Sequence, residues 1–470
     1  MATGRKRKSL LAATAAVSAA LSISSGALMS APSAAADPAS PHETRRQTTL
    51  PRAVVSLGDS YISGEGGMWY GNADTEVPLY GNRYGTDRSF ANINPPCNPD
   101  PGPVQSLLLV GSYCYQPKTV YQDAFNSNQT GTGSPESINY DPDGKNGCDR
   151  SDVAEIRQLA LRMNQGRTSS DPEYHWPINL ACSGAETQHL ISEKFKKEWL
   201  QVNDLGRVAA KNQVKVVALS IGGNDMGFGE VAASCILRYV TDWSVPSRTS
   251  GAAVLGRQNS TCIDDWDKRL TSRLQAVRTR VTNVLNAIKS KMQQADPDGS
   301  YRLVLQSYPQ MVPAPADNRY PVSDGLFYSS RTAPGGCPFD DKTSTLVRGW
   351  VKSLSDVLAE SAYEASKTGV RVDFLDLESA FAGHEVCHKS SKLATKQSPA
   401  ASNRAADMEW MRYVVTGLNQ GQKQEALHPN AFGQRAIGNC LHLLLAKATG
   451  SYKCTNTAGQ GTDAMKLAVR

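Results

Sequence analysis

RAVVSLGDSYISGEGG, residues 52–67, carries a fold signal in its first half and a chemical one in its second. Arg52 to Leu57 is a short apolar run of strand length, rich in valine and stopped by Gly58, the form expected of a buried strand. VKVVALS (214–220), YRLVLQSYP (301–309) and VRVDFLDL (370–377) repeat that form, and INLACSG (178–184) is a weaker version with the same apolar-then-glycine shape. Helical patterns lie between and after them, over 152–164, 266–293, 343–367 and 428–448. Strands alternating with helices predict βαβ units, hence an α/β fold with a parallel sheet and helices on both faces. In such sheets the working residues sit at the carboxyl ends of the strands.

The residues just past each strand are therefore the ones to read for chemistry. Ser60 stands in the turn after the first, between glycines that permit a tight backbone. A serine there can present its hydroxyl at the sheet edge and lend its own N–H to a developing oxyanion, although Gly-Asp-Ser is also a common turn tripeptide. Gly184 comes after the second strand and Asn224, in IGGNDMGF, after the third; each can supply one further N–H donor. A serine nucleophile needs a base. EALHPNAFGQ (425–434) offers His428 before Pro429 and Asn430, at the entry to the last helix, where proline suits the first turn. Asp59 and Asp225 are read as carboxylates that fix the loops carrying Ser60 and Asn224.

The chain begins like an exported precursor. Arg5 to Lys8 are basic, an apolar alanine-rich run extends from Leu10 to about residue 29, and Ala34-Ala35-Ala36 gives a small-residue cleavage pattern. Residues 1–36 are expected to be a signal peptide on the general export route, since RKRKS lacks an adjacent arginine pair. Residues 37–50 are read as a linker and 451–470 as a C-terminal tail. Losing the leader removes four basic residues and lowers the net charge from +6 to +2, which gives no reason to expect a nucleic-acid partner. No later stretch approaches the ~18 apolar residues of a membrane span. Ten cysteines, an even number, favour disulfides in an oxidising extracellular setting. HEVCH (384–388) fits H-E-x-x-H, a zinc-peptidase pattern when helical, with His384 and His388 as ligands and Glu385 as base. It equally fits a half-cystine in a surface loop.

The blocks around Ser60, Gly184, Gly222 to Asp225 and His428 resemble, in that order, the SGNH or GDSL family of esterases and lipases. ACSGA, IGGND, FAGHEVC and HPNAFGQ look most like its secreted streptomycete members, over roughly residues 50–65 and 148–445. The resemblance implies a flavodoxin-like three-layer α/β/α domain spanning 51–450, acting as a secreted carboxylic ester hydrolase. It implies Ser60 as nucleophile, His428 as base, and Ser60 N–H, Gly184 and Asn224 as oxyanion hole, with no cofactor and no metal. Tyr61 stands where the family usually has leucine, and Glu425 where it commonly has the aspartate that orients the histidine; some relatives use a backbone carbonyl instead. The same likeness implies disulfides Cys148–Cys182, Cys235–Cys262 and Cys337–Cys387, the last turning HEVCH into a tied loop. Nearness in sequence pairs the remaining cysteines as Cys97–Cys114 and Cys440–Cys454.

About 80 residues, 67–147, form a loop-rich insertion directly after the nucleophile block. Its Trp69, Tyr70, Tyr80, Tyr84, Tyr113, Tyr115 and Tyr121 can serve as a platform for an acyl chain or sugar, or as the insertion's own small core. The expected substrate is a lipid or other small ester and the expected state a monomer. Phospholipid acyl release and polysaccharide deacetylation are variants on the same site. A zinc peptidase built on HEVCH and a non-catalytic secreted binding module are the rivals from other classes.

Overall fold

The computed structural model describes residues 50–73, 86, 88, 147–228, 260–320, 331, 336–395, 397–414 and 423–470. Among the described residues seven strands, β1 (Arg52–Gly58), β2 (His175–Asn179), β3 (Gln213–Ser220), β4 (Arg302–Gln306), β5 (Val372–Asp376), β6 (Ser451–Thr455) and β7 (Lys466–Val469), form one sheet. Its order is β2-β1-β3-β4-β5-β6-β7. Every neighbouring pair is parallel except β6 with β7.

The helices that position the site are α1 (Ser60–Ser63), α2 (Glu155–Met163), α3 (Thr187–Ile191), α4 (Gln201–Ala209), α5 (Gly223–Met226), α6 (Ser260–Ala295), α7 (Asp341–Lys367) and α8 (Ala431–Leu445). α2 and α8 pack on each other as one layer, and α4, α6 and α7 form another. The sheet between them explains why β1 is buried from Ala53 to Gly58 and reads as an unbroken apolar run rather than an alternating one. All described residues belong to one compact unit, Gln47–Arg470. No helix among the described residues is long and apolar enough to cross a membrane.

Two expectations shift. The second strand runs from His175 to Asn179 rather than over 178–184, and Leu180 to Gly184 leave the sheet as a loop. β2 is an edge strand, so it tolerates Pro177, which would read as a strand breaker at the sheet centre. Residues 451–470 are not a tail: they add β6 and the antiparallel β7 to an otherwise parallel sheet. SYKCT is half-buried and mostly polar, and KLAV is a short, mostly exposed edge strand, so neither carries much hydrophobic signature.

Disulfides join Cys148 to Cys182, Cys337 to Cys387 and Cys440 to Cys454. The Cys97–Cys114 and Cys235–Cys262 pairings lie outside the described residues. So does most of the 67–147 insertion. Of its aromatic residues Trp69 and Tyr70 are described: Trp69 is buried under the Arg412 guanidinium, and Tyr70 stacks on Phe432 of α8.

Candidate active site

β1 delivers the chain to the sheet edge at Gly58, whose φ of 135° is open to glycine. A Cβ there would lie 1.9 Å from the Ser220 carbonyl oxygen at the end of β3, so glycine lets the two strand ends close up. Asp59 caps α1: its Oδ1 accepts the Tyr61 N–H at 3.1 Å, and its Oδ2 accepts the Tyr308 hydroxyl. Burial raises its pKa to about 7 against those two hydrogen bonds. Ser60 opens the short helix, nearly buried, with its hydroxyl facing a loop from the other end of the chain.

That loop carries His428, whose Nε2 lies 2.7 Å from Ser60 Oγ. Its Nδ1 lies 3.0 Å from the Ala426 carbonyl oxygen. A carbonyl can only accept, so Nδ1 holds the proton and Nε2 presents a lone pair to the serine hydroxyl. Burial lowers the His428 pKa to about 4, opposed by the neighbouring backbone carbonyls, so the ring is neutral at pH 7. A neutral imidazole hydrogen-bonded to a serine hydroxyl is the arrangement needed to take its proton.

The loop is held by local chemistry. Leu427 sits at φ 60°, an uncommon conformation for a residue with a Cβ, which turns the Ala426 carbonyl back toward the His428 ring. The Tyr61 hydroxyl donates to the Leu427 carbonyl at 2.6 Å. Leu427 N–H donates to Arg412 O at 2.9 Å, and Arg412 N–H to His428 O at 2.8 Å. Asn430, rather than Pro429, marks the start of α8, its side chain accepting from the Phe432 and Gly433 N–H groups.

The Nδ1 hydrogen bond goes to the Ala426 carbonyl, while the Glu425 carboxyl has a partner of its own. Its Oε2 accepts the Trp69 indole N–H at 2.9 Å, and the carboxyl is buried. The short 3-10 turn Lys423–Glu425 and the left-handed Leu427 bring a backbone carbonyl, not a side chain, to the ring.

The donor residues are tied to the same place. The Cys148–Cys182 bridge and the Ser183 N–H to Cys148 O bond, 3.0 Å, fix the loop bearing Gly184, which has φ 81°. Ser183 Oγ donates at 2.7 Å to Glu65 on the nucleophile turn. Asn224, in α5, spends one amide N–H on the Ala185 carbonyl at 2.9 Å, which leaves its second N–H and holds the side chain beside the Gly184 loop. Asp225 accepts the Thr187 N–H at 3.0 Å and also the Thr187 hydroxyl, locking α3 to α5. The Gly184 loop is thus linked to the Ser60 turn through Ser183 and Glu65, and to Asn224 through Ala185. Ser60 and His428 are in direct hydrogen-bond contact, a hydroxyl beside a neutral imidazole.

HEVCH forms turns, not a helix. His384 stacks on Trp410 with ring centroids 4.1 Å apart, and its Nδ1 lies 2.8 Å from Met408 O. Glu385 accepts the Gly383 N–H at 2.7 Å, and burial raises its pKa to about 7. His388 Nδ1 faces the Ser390 N–H at 3.1 Å. With Cys387 bonded to Cys337, the stretch is a tied structural loop. The two imidazoles are not presented on one helical face, as a zinc-peptidase helix requires.

Glu65, Tyr308 and Ala426 contact the site without being singled out by the sequence, which marks Tyr61 only as a variable position and Trp69 only as one of the insertion's aromatics. Tyr61 and Glu65 lie within the nucleophile block itself; nothing in their spacing distinguishes them from packing residues.

No protein-family model matches the chain, and no curated protein matches it. Among solved structures it is similar to an extracellular lipase from Streptomyces rimosus, at 18% identity over 85% of this chain and 100% of that one, with a TM-score of 0.42. It is also similar to a phospholipase A1 from Streptomyces albidoflavus, at 18% identity over 85% and 100% of the two chains, with a TM-score of 0.41.

Proposed function

We propose that the protein is a secreted carboxylic ester hydrolase of the SGNH or GDSL kind, acting on lipid or other small esters through an acyl-enzyme on Ser60. The single observation that carries this is the polarised pair: His428 Nε2 is 2.7 Å from Ser60 Oγ, while its Nδ1 is 3.0 Å from a backbone carbonyl. The sheet order β2-β1-β3-β4-β5 supports a flavodoxin-like core, in which ligands gather at the carboxyl ends of the strands.

In this reading His428 takes the Ser60 proton as Oγ attacks the ester carbonyl. The tetrahedral oxyanion is held by the Ser60 and Gly184 N–H groups and the second N–H of Asn224. Imidazolium then returns the proton to the leaving alcohol, and water, activated by the same base, releases the acid. Residues 1–36 act as the export signal, and the mature protein acts as a monomer.

The test is a fluorophosphonate probe on the purified mature protein, with the adduct mapped by peptide mass spectrometry. An adduct on Ser60 that survives chelator and disappears in His428→Ala supports the reading. Correctly disulfide-bonded protein that takes up no probe would sink it and return the binding-module alternative.

A further inference from the structure

Glu65 is bound into the nucleophile turn by its own backbone, its N–H donating to Ser60 O at 3.3 Å. Its side chain is 1% exposed. Oε2 accepts the Ser183 hydroxyl at 2.7 Å and lies 3.7 Å from His428 Nε2, the nitrogen that faces Ser60. Oε1 is buried with no hydrogen-bond partner among the described residues. A carboxylate with a bare oxygen in such a place is unfavourable, so the site favours the neutral acid in its resting form.

On the other side of the ring, Nδ1 meets the uncharged Ala426 carbonyl. The positive charge that His428 acquires on taking the Ser60 proton therefore meets a carbonyl, not a carboxylate, at Nδ1. We propose that Glu65 is a positioning residue that does this work from the Nε2 side, stabilising the His428 imidazolium when it is itself ionised. The inference rests on the serine-hydrolase reading above.

The groups around Glu65 set when that happens. Burial raises its pKa to about 8; the Ser183 hydrogen bond and the Lys196 ammonium pull it down, and Asp149 and Glu425 push it up. Tyr61 also faces it and stays protonated, its own pKa raised well above the usual phenol value by burial. Lys196 is anchored by its Nζ bond to the Ser183 carbonyl at 2.7 Å. Below neutrality Glu65 keeps its proton and acts as a dipole. As pH rises it gives that proton to solvent, and the new negative charge makes His428 a stronger base. An opposite charge within ~4–6 Å raises a base's pKa by ~1–3 units, and partial proton transfer in the transition state converts this into ~10-fold in rate. Asp59 titrates nearby, at about 7, and burial lowers the pKa of Lys196, so the assignment requires substitution as well as a profile.

The experiment measures kcat on a p-nitrophenyl ester from pH 6 to 10 for the wild type, Glu65→Gln and Ser183→Ala, with fluorophosphonate labelling of each at Ser60. The wild type should rise ~10-fold with a midpoint near the Glu65 pKa of about 8. Glu65→Gln keeps the shape of the neutral acid, so it should still label at Ser60 but lose the rise. Ser183→Ala removes a hydrogen bond that lowers the Glu65 pKa, so it should move the rise to higher pH. A Glu65→Gln profile that superimposes on the wild type overturns the proposal and leaves the hydrolase reading intact. If Glu65→Gln does not fold, an unmoved midpoint in Ser183→Ala overturns it instead. Failure of wild-type Ser60 to label removes the hydrolase reading, and this inference with it.

Discussion

The phenol of Tyr61 donates to the carbonyl oxygen of Leu427, 2.6 Å away and 366 residues along the chain, and so joins the turn of Ser60 to the loop of His428. The Tyr61 ring also lies 5.0 Å from the His428 ring. Tyr61→Phe keeps the packing and deletes this bond, which leaves the Leu427 carbonyl without that buried donor. We expect kcat to fall ~10-fold with KM little changed, because what is lost is the alignment of imidazole on serine and not substrate binding. Steady-state kinetics of this one variant decides it; an unchanged kcat would show that the left-handed loop holds itself.

Glu425 gives a second discrimination. A carboxylate that orients a catalytic histidine is worth ~10⁴-fold in kcat when replaced by its amide. Here the carboxylate serves the Trp69 indole, and the amide oxygen of Gln can accept that same N–H. Glu425→Gln should therefore retain kcat within ~3-fold of wild type, whereas a loss near ~10⁴-fold would restore it as the third triad member.

Stability should fall as pH rises above neutrality. Burial raises the pKa values of Asp59 and Glu385 to about 7 and of Glu65 and Glu155 to about 8. The folded state thus holds protons that the unfolded chain has released, and stability is lost between the unfolded values near 4 and the folded ones. His175 and His428, lowered to about 4, act in the opposite sense, but only between about 4 and the ordinary histidine value of 6.5. From pH 6.5 to about 8 the loss is therefore governed by these carboxyls, each ceasing to contribute once the pH passes its own folded value. Thermal melts should show Tm dropping across that window. Glu155→Gln should flatten part of the drop, since the amide still accepts from Gln306 and has no proton to lose.

Removing the Cys148–Cys182 bridge should affect both fold and rate. It closes a stretch with a sequence separation of 34, for which restriction of the unfolded chain is worth about 4 kcal/mol. It also fixes the loop that presents Gly184, so Cys148→Ser/Cys182→Ser should lower Tm and reduce kcat together. A variant with depressed Tm but full kcat would separate the bridge from the oxyanion loop.

The sequence was legible where its message is written in consecutive letters. A valine-rich strand, a glycine that brings two strand ends together, and a serine and a histidine each at an element boundary are local patterns, and the structure sets that serine and histidine 2.7 Å apart. The illegible part is long-range or main-chain. Tyr61 meets Leu427 from the far end of the chain, and Glu65 acquires its character from Ser183, Asp149 and Lys196, which no spacing connects to it. β7 escaped because an exposed sheet edge asks little of the side chains that build it, and β6 because its five residues are half-buried and mostly polar.

The Ala426 carbonyl also has a genetic consequence. Every residue type supplies that oxygen, so a saturation scan should find position 426 permissive in side-chain identity. The constraint moves one residue on, to the left-handed Leu427. There glycine should be accepted for its backbone freedom, while isoleucine, valine and proline should be rejected. In the mutational record the third member of this catalytic group would show itself as a permitted φ angle and not as an amino acid.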